Sequence, residues 1–551
     1  MKRRIAARAA GAGCLLLAST TQGASPVADP WASGKRVTAV VRNELGQLKW
    51  VAIEATDYTP LEAEGRRVYQ KGGCNYCHSQ YVRPVSTDRR PWGPVTADVR
   101  RWGPTAEPGE YAHDKPLLFG PGGIGPDLSR EGLKYGDEWH LAHFWNPPGM
   151  TRGSIMGGFS GLFDTLAEPV KIVEDAAFTL PDGSAGKTLE RTTETETLFD
   201  FDGRDQIKLT PNEQGLLFVP MEARGKRPIV WTPNEEFSGE TVKVVAETRD
   251  VQALTAYIQK LGTARGQWRD LAVLDEVEGS KIALDRSDAW IAHGKQVYEH
   301  RCIACHGEKG NGNGWAATFL SKQRPRNFTT GVFKFRLTKG SLPSDADLLR
   351  TITRGVRGTA MPAWYELPLD ERLAVMQYVK YELAVDASDP QQVTRYFLDE
   401  SVGPALQIGT PPTPSAQMIT HGSEIWQQAK CWECHGKAGR GDGEKAPGLK
   451  DDWGFPIRPA NLSRGQFKSG STAADLYRTI TTGLSGTPMA SFRDAFSDAD
   501  RWALAYYVLS LSAFTDPLSG AALPLSAADR AALNDPNLLT LGPEQAYRPR
   551  R

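Results

Sequence analysis

The residues able to do chemistry lie in three five-residue runs of one pattern: Cys74-Asn-Tyr-Cys77-His78, Cys302-Ile-Ala-Cys305-His306 and Cys431-Trp-Glu-Cys434-His435. They take six of the seven cysteines and leave only Cys14. In a Cys-x-x-Cys-His run two thiols can add to the vinyl groups of a haem while the adjoining His reaches the iron, which is the attachment pattern of c-type haem. A Cys-x-x-Cys pair also serves zinc sites and redox dithiols. Zinc needs four ligands, and none of these runs has a second Cys pair nearby. The spacing therefore predicts three covalently bound haem c groups, held by Cys74, Cys77, Cys302, Cys305, Cys431 and Cys434, with His78, His306 and His435 as iron ligands.

A haem that only transfers electrons needs its second axial position filled, and a Met thioether does so while raising the potential. Met361 stands in Gly-Thr-Ala-Met-Pro and Met489 in Gly-Thr-Pro-Met-Ala. A methionine can also fill a gap in a core, but polar loops containing Gly are poor core, so both are read as ligands. In the first region Met156, in Gly153-Ser-Ile-Met-Gly-Gly-Phe159, is the expected ligand and Met150 its competitor. His140 and His143 are read as packing residues with satisfied ring nitrogens. The carbonyls of Pro126, Pro325 and Pro459 are candidates to accept the second ring N–H of each motif His, although a loop proline serves equally as a turn former. Arg324 and Arg458 suit haem propionates or solvent. No constellation demands substrate turnover, so no catalytic residue is assigned.

These side chains need helices to hold them. At 551 residues the chain is too long for one core and suits three or four domains. An amphipathic helix, Pro60 to Tyr69, runs into the first motif. The first domain is expected over residues 58–270, after an extension at 25–57 that contains one β stretch, Arg36 to Arg42. Within it, residues 164–247 read as a β-rich insertion, with strands at Gln214–Pro220, Pro228–Trp231 and Thr241–Ala246. Docking a partner and covering a haem edge are both open roles for it. Residues 287–386 and 415–513 form an internal repeat: His293-Gly-Lys-Gln-Val-Tyr parallels His421-Gly-Ser-Glu-Ile-Trp, and Leu348 to Met361 parallels Leu476 to Met489. Each unit closes with an amphipathic helix, Asp370–Leu383 and Asp498–Leu511. A stiff Pro-rich linker, 387–414, joins them, and a tail follows at 514–551.

Residues 1–24 combine a basic start with a short apolar run and read as a cleaved secretory signal. Its loss lowers the basic count from 65 to 61 against 65 acids, a net of about −4. That argues against a nucleic-acid partner. No later stretch is apolar enough for a membrane helix, so the mature chain is expected to be exported, periplasmic, and soluble or peripheral to the membrane.

Helix, haem motif, loop, Met and crossing helix is the packing logic of class I cytochromes c. The run Glu64-Gly-Arg-Arg-Val-Tyr-Gln-Lys-Gly-Gly-Cys-Asn-Tyr-Cys-His-Ser-Gln-Tyr-Val-Arg-Pro84 is more specific. With Gly125-Pro-Asp-Leu128 and Asp137-Glu-Trp-His-Leu-Ala-His-Phe-Trp-Asn-Pro147, it resembles the mono-haem cytochrome c subunit (subunit II) of cbb3-type haem-copper oxidases. The likeness covers about residues 58–162 and resumes at 250–262. It departs from that family in the insertion, and the mature chain is expected to differ from it in having no N-terminal membrane helix. The two repeats resemble class I cytochromes c in general. The resemblance implies a mainly α fold of three class I cytochrome c domains with a small β-rich insertion in the first. It also implies a tri-haem protein that carries electrons between a donor and a terminal respiratory enzyme, with redox proteins or an oxidase complex as partners, rather than an enzyme in itself. The alternative is a haem peroxidase or reductase with one five-coordinate haem in the first domain.

Overall fold

Each motif stands at the end of a helix that its own sequence starts, as a computed structural model of the chain shows. The structure describes residues 37–42, 48–53, 57–81, 108–262 and 286–512, apart from 112, 121–123, 130, 133–134, 180–182, 200–205, 232–236, 321–322, 357, 365–366, 401, 456, 465–466 and 471. The expected signal segment with Cys14 and the expected tail lie outside these residues. Strand β1 (Val37–Arg42) pairs antiparallel with β2 (Leu48–Ile53), the second of which the sequence reading did not anticipate.

In the first region Thr59 caps α1 (Pro60–Lys71): its hydroxyl accepts from the Glu62 N–H, and the Glu62 carboxylate accepts from the Thr59 N–H. Helix α2 (Asp137–Trp145) follows, and α3 (Arg249–Lys260), capped by Thr248, closes the region against α1. The second region repeats the plan with α4 (Asp288–Arg301), α5 (Asp345–Arg354) and α6 (Leu369–Tyr378), the last running on as a π turn over Val379–Leu383. The third has α7 (Ala416–Gln428), α8 (Ala473–Thr482) and α9 (Asp498–Ser510).

The first and last helices of each region cross at one glycine. A Cβ on Gly65, Gly294 or Gly422 would overlap the carbonyl oxygen of Ala253, Ala374 or Ala503 respectively. Four residues after each glycine an aromatic ring meets a tyrosine of the closing helix: Tyr69 on Tyr257 at 5.3 Å, Tyr298 on Tyr378 at 5.4 Å and Trp426 on Tyr507 at 5.7 Å. Close approach of the backbones is what lets these rings and the flanking aliphatic side chains fill the space above each motif.

Between α2 and α3 the first region carries a sheet of seven strands: β3 (Phe163–Thr165), β4 (Val170–Thr179), β5 (Ala185–Leu189), β6 (Gln206–Leu209), β7 (Leu216–Val219), β8 (Arg227–Val230) and β9 (Thr241–Glu247). The order is β3-β9-β4-β5-β8-β6, with β7 added beside β9. The β6–β8 and β7–β9 pairs are parallel and the others antiparallel. Its core is aliphatic, with Leu209, Leu217, Val219, Val230 and Val244 fully buried.

The regions do not stand apart. Phe218 of β7 lies 4.6 Å from Phe319, and its N–H donates to the Thr318 hydroxyl at 3.0 Å. The Asn212 amide donates to the Trp315 carbonyl at 3.0 Å, and the Trp315 indole donates to the Gly149 carbonyl at 3.2 Å. Ala304, Ala316, Phe319, Leu320 and Ala360 of the second region thereby belong to the first region's core. On the far side the Lys208 ammonium donates to the Gly454 carbonyl at 3.5 Å, and Trp231 meets Phe455 edge to face. The insertion thus touches both other regions of its own chain.

Candidate haem sites

A cavity of about 940 Å³ is lined by Cys74, Cys77, His78 and Met156 and equally by Cys302, Cys305, His306 and Met361. The first two motif sites open into one space. A second cavity, of about 620 Å³, is lined by Cys431, Cys434, His435 and Met489. Gln323, Arg324, Pro325, Arg326, Lys334 and Phe335 line both and form the wall between them.

Each motif His is aimed by one hydrogen bond. Nδ1 of His78 meets the Pro126 carbonyl at 2.9 Å, Nδ1 of His306 the Arg326 carbonyl at 3.1 Å and Nδ1 of His435 the Ala460 carbonyl at 3.2 Å. With Nδ1 engaged, Nε2 is the nitrogen left to a metal. Two of the three expected acceptors are therefore wrong. Pro325 and Pro459 sit one residue too early, and their carbonyls face Gly312 and Gly441, where a Cβ would lie 2.7 and 2.5 Å away. The true register is set by the residue that follows the acceptor. Asp127, Asn327 and Asn461 each accept the N–H two residues on, from Ser129, Thr329 and Ser463, at 2.9, 2.9 and 3.1 Å. The signal was present in the sequence as Asp/Asn-x-Ser/Thr, and the more conspicuous prolines hid it.

The methionine loops share a turn of the same kind. The N–H of Met156 donates to Ser154 Oγ at 3.2 Å, that of Met361 to Thr359 Oγ1 at 3.1 Å and that of Met489 to Thr487 Oγ1 at 3.3 Å. Ser/Thr-x-Met is thus common to all three. Met150 has no such turn. It ends the helical turn Pro147–Met150 and is only 6% exposed, within the apolar core.

His140 and His143 both line the larger cavity. The expected satisfaction of their ring nitrogens fails at His143, whose buried Nδ1 has no hydrogen-bond partner. The ring is held instead by stacking on Trp139 at 4.6 Å. Burial, with the neighbouring His140 and His78, pushes its pKa down to about 3, so it is neutral.

Arg324 donates to Asn313 and stacks over Phe455 at 4.8 Å, while Arg458 lines the smaller cavity. The sequence reading missed Arg326, Lys334 and Lys468, which line the same space.

The donor set fits haem better than zinc or a redox dithiol. Burial pushes the Cys74 and Cys431 thiols up to about 11 and those of Cys302 and Cys305 to about 12, the reverse of the lowered values that thiolate chemistry needs. Among the described residues no group of three or more His, Cys, Asp or Glu side chains is placed to hold a metal ion. Gly125 lies against His78, where a Cβ would meet the imidazole at 2.5 Å, leaving the ring face clear.

Paired crossing helices, a Cys-x-x-Cys-His turn and a Met loop over an apolar cavity define a c-type cytochrome. Residues 46–264 match the family model described as cytochrome C oxidase, mono-heme subunit/FixO. Residues 289–379 match cytochrome C oxidase, cbb3-type, subunit III, and residues 419–512 match cytochrome c. The chain is also similar to the Cbb3-type cytochrome c oxidase subunit CcoP of Azospirillum sp. (strain B510), 25% identical over 43% of this chain and 67% of that protein. A chain of the Kuenenia stuttgartiensis reducing HAO-like protein complex is 39% identical over 42% of this chain and all of its own length, with a TM-score of 0.38, too low to bear on the fold. The protein is a multihaem c-type cytochrome whose first domain resembles the mono-haem subunit of cbb3-type oxidases and whose later domains resemble cytochromes c.

Proposed function

We propose that this chain is a tri-haem cytochrome that transfers electrons between a donor and a terminal respiratory enzyme, as a carrier or as a subunit of an oxidase complex of the cbb3 kind. The observation that carries this reading is the arrangement of the cavities: two motif sites share one space and the third shares a wall with it. Electron relay requires redox centres held close together, and the chain brings its three motif sites to adjoining cavities by packing the second and third domains against the first. Haem c, when bound, contributes a one-electron iron couple. The protein's part is to hold each His by a main-chain carbonyl and to present a Met from a Ser/Thr turn. The ligand pairs are His78 with Met156, His306 with Met361 and His435 with Met489, and the repeated turn favours Met156 over Met150.

The likeness to cbb3 subunits supports a respiratory setting on the periplasmic face of the membrane. Among the described residues no helix is long and apolar enough to cross a membrane, which is consistent with a peripheral position. The loop bearing Met156 gives the competing reading its foothold, since Ile155 is 85% exposed and His143 stands by with an unpartnered nitrogen. An open iron there would make the first domain a peroxidase or reductase site.

Electron paramagnetic resonance and carbon monoxide binding of the holoprotein separate the two. Three low-spin haems inert to carbon monoxide are expected, with Met156→Ala creating one high-spin, carbon-monoxide-binding haem. A high-spin haem already present in the unmodified protein and indifferent to Met156→Ala would overturn the reading.

A further inference from the structure

The wall between the two cavities is unusually cationic. Lys334 and Arg326 line both cavities, and Lys468 reaches the smaller one from the third domain. Among the described residues neither lysine has a hydrogen bond or a carboxylate within ion-pair distance. Asp451 attracts Lys334 and Arg326 without coming within ion-pair distance of Lys334, and its Oδ1 accepts the N–H groups of Trp453 and Phe455 at 3.1 and 2.9 Å. Arg326 lies with its guanidinium over Trp453 at 4.8 Å, while its carbonyl aims His306. Burial and mutual repulsion hold Lys334 down to about 7, and burial holds Lys468 down to about 8. Enclosed ammonium groups without a counter-ion are costly, and proteins pair them. Lys445, which also lines the smaller cavity, has in Glu433 at 2.5 Å the partner that these two lack.

Haem brings two propionate carboxylates, the anion such a wall fits. We propose that Lys334, Arg326 and Lys468 form a carboxylate-binding wall that takes haem propionates at the junction of the second and third domains. Lys468 serves the third site alone, while Lys334 and Arg326 lie within reach of both. The wall then has two roles: it completes the domain interface only when haem is in place, and it raises the potentials of the adjacent haems, because a fixed cation disfavours the ferric state. This rests on the second and third sites holding haem.

The test is spectroelectrochemical titration of the holoprotein, with haem content per chain measured on the same preparations. Lys468→Gln is expected to lower one of three components, the same one that Met489→His moves. Lys334→Gln should lower two. Each shift should be on the order of tenfold in the ferric/ferrous equilibrium, about 59 mV for a one-electron couple. Lys468→Arg and Lys334→Arg, which keep the charge, should restore the original values and serve as the readout if a glutamine variant folds poorly. Three haems per chain with unmoved components overturn this proposal alone. Fewer than three haems in the unmodified protein overturn it together with the tri-haem reading. Components that follow phosphate concentration in the unmodified protein, and lose that response in the lysine variants, assign the wall to a free anion and overturn it too.

Discussion

At the scale of single residues the protein relies on short-range hydrogen bonds that orient groups, and one of them also titrates. His421 on α7 bonds Asp500 on α9 through Nε2 at 2.8 Å and Glu424 through Nδ1 at 3.2 Å. The hydrogen bonds to Asp500 and then Glu424 raise its pKa above the ordinary value, near 6.5 in an unfolded chain. A raised native pKa gives stability that is complete below about pH 6.5 and is lost as pH climbs through the native value. Asp500, lowered first by its bond to His421, acts in the opposite sense and loses its contribution only in acid, below about pH 4. Thermal unfolding of the holoprotein should therefore show a midpoint that falls as pH rises above about 6.5, with the fall reduced in His421→Gln. Equal slopes in the two proteins would remove the pair from the account.

At the scale of elements the crossing helices decide whether a haem cavity exists at all. Two effects compete at Gly294 and its counterparts Gly65 and Gly422. Alanine is favoured over glycine inside a helix by about 1 kcal/mol, yet here its Cβ would strike the backbone of the partner helix. Backbone cannot swing aside as a side chain can, so overpacking wins, at a net cost of about 1–3 kcal/mol. Gly65→Ala, Gly294→Ala and Gly422→Ala should each lower the unfolding midpoint and loosen the ring pair above its motif. Differential scanning calorimetry checks this, and a raised midpoint would mean that the helices can part without loss.

At the scale of the whole molecule one carboxylate joins two domains. Asp475 caps α8 by accepting the Thr472 N–H, is 1% exposed, and pairs with Arg350, with Arg354 at 3.4 Å and with Arg478 at 3.6 Å. Arg350 and Arg354 come from α5 of the second domain. Arg336 adds a bond to the Ser485 hydroxyl at 3.1 Å across the same junction. Asp475→Asn keeps much of the cap and deletes the buried negative charge that Arg350, Arg354 and Arg478 share, at a cost of up to about 3–5 kcal/mol. The second and third domains should then unfold in separate calorimetric transitions where the unmodified protein shows one. An unchanged single transition would show that the remaining contacts suffice to couple them.

What the sequence determined by itself was local. The motifs, the helices leading into them, the Ser/Thr caps and several strands of the insertion are written in spacings of two to four residues, which act before any tertiary contact forms. Even the carbonyl that aims each His was legible, in Asp127, Asn327 and Asn461, once the turn is read rather than the proline. Tertiary structure alone decided the rest. That residues 74–78 and 302–306 share one cavity, that Lys334 and Lys468 meet across a domain boundary, and that the sheet packs on Trp315 and Phe455 all depend on residues a hundred or more positions apart. Such pairings follow from how the cores of the domains and of the sheet bury their remaining apolar surface against one another, and no periodicity along the chain records that.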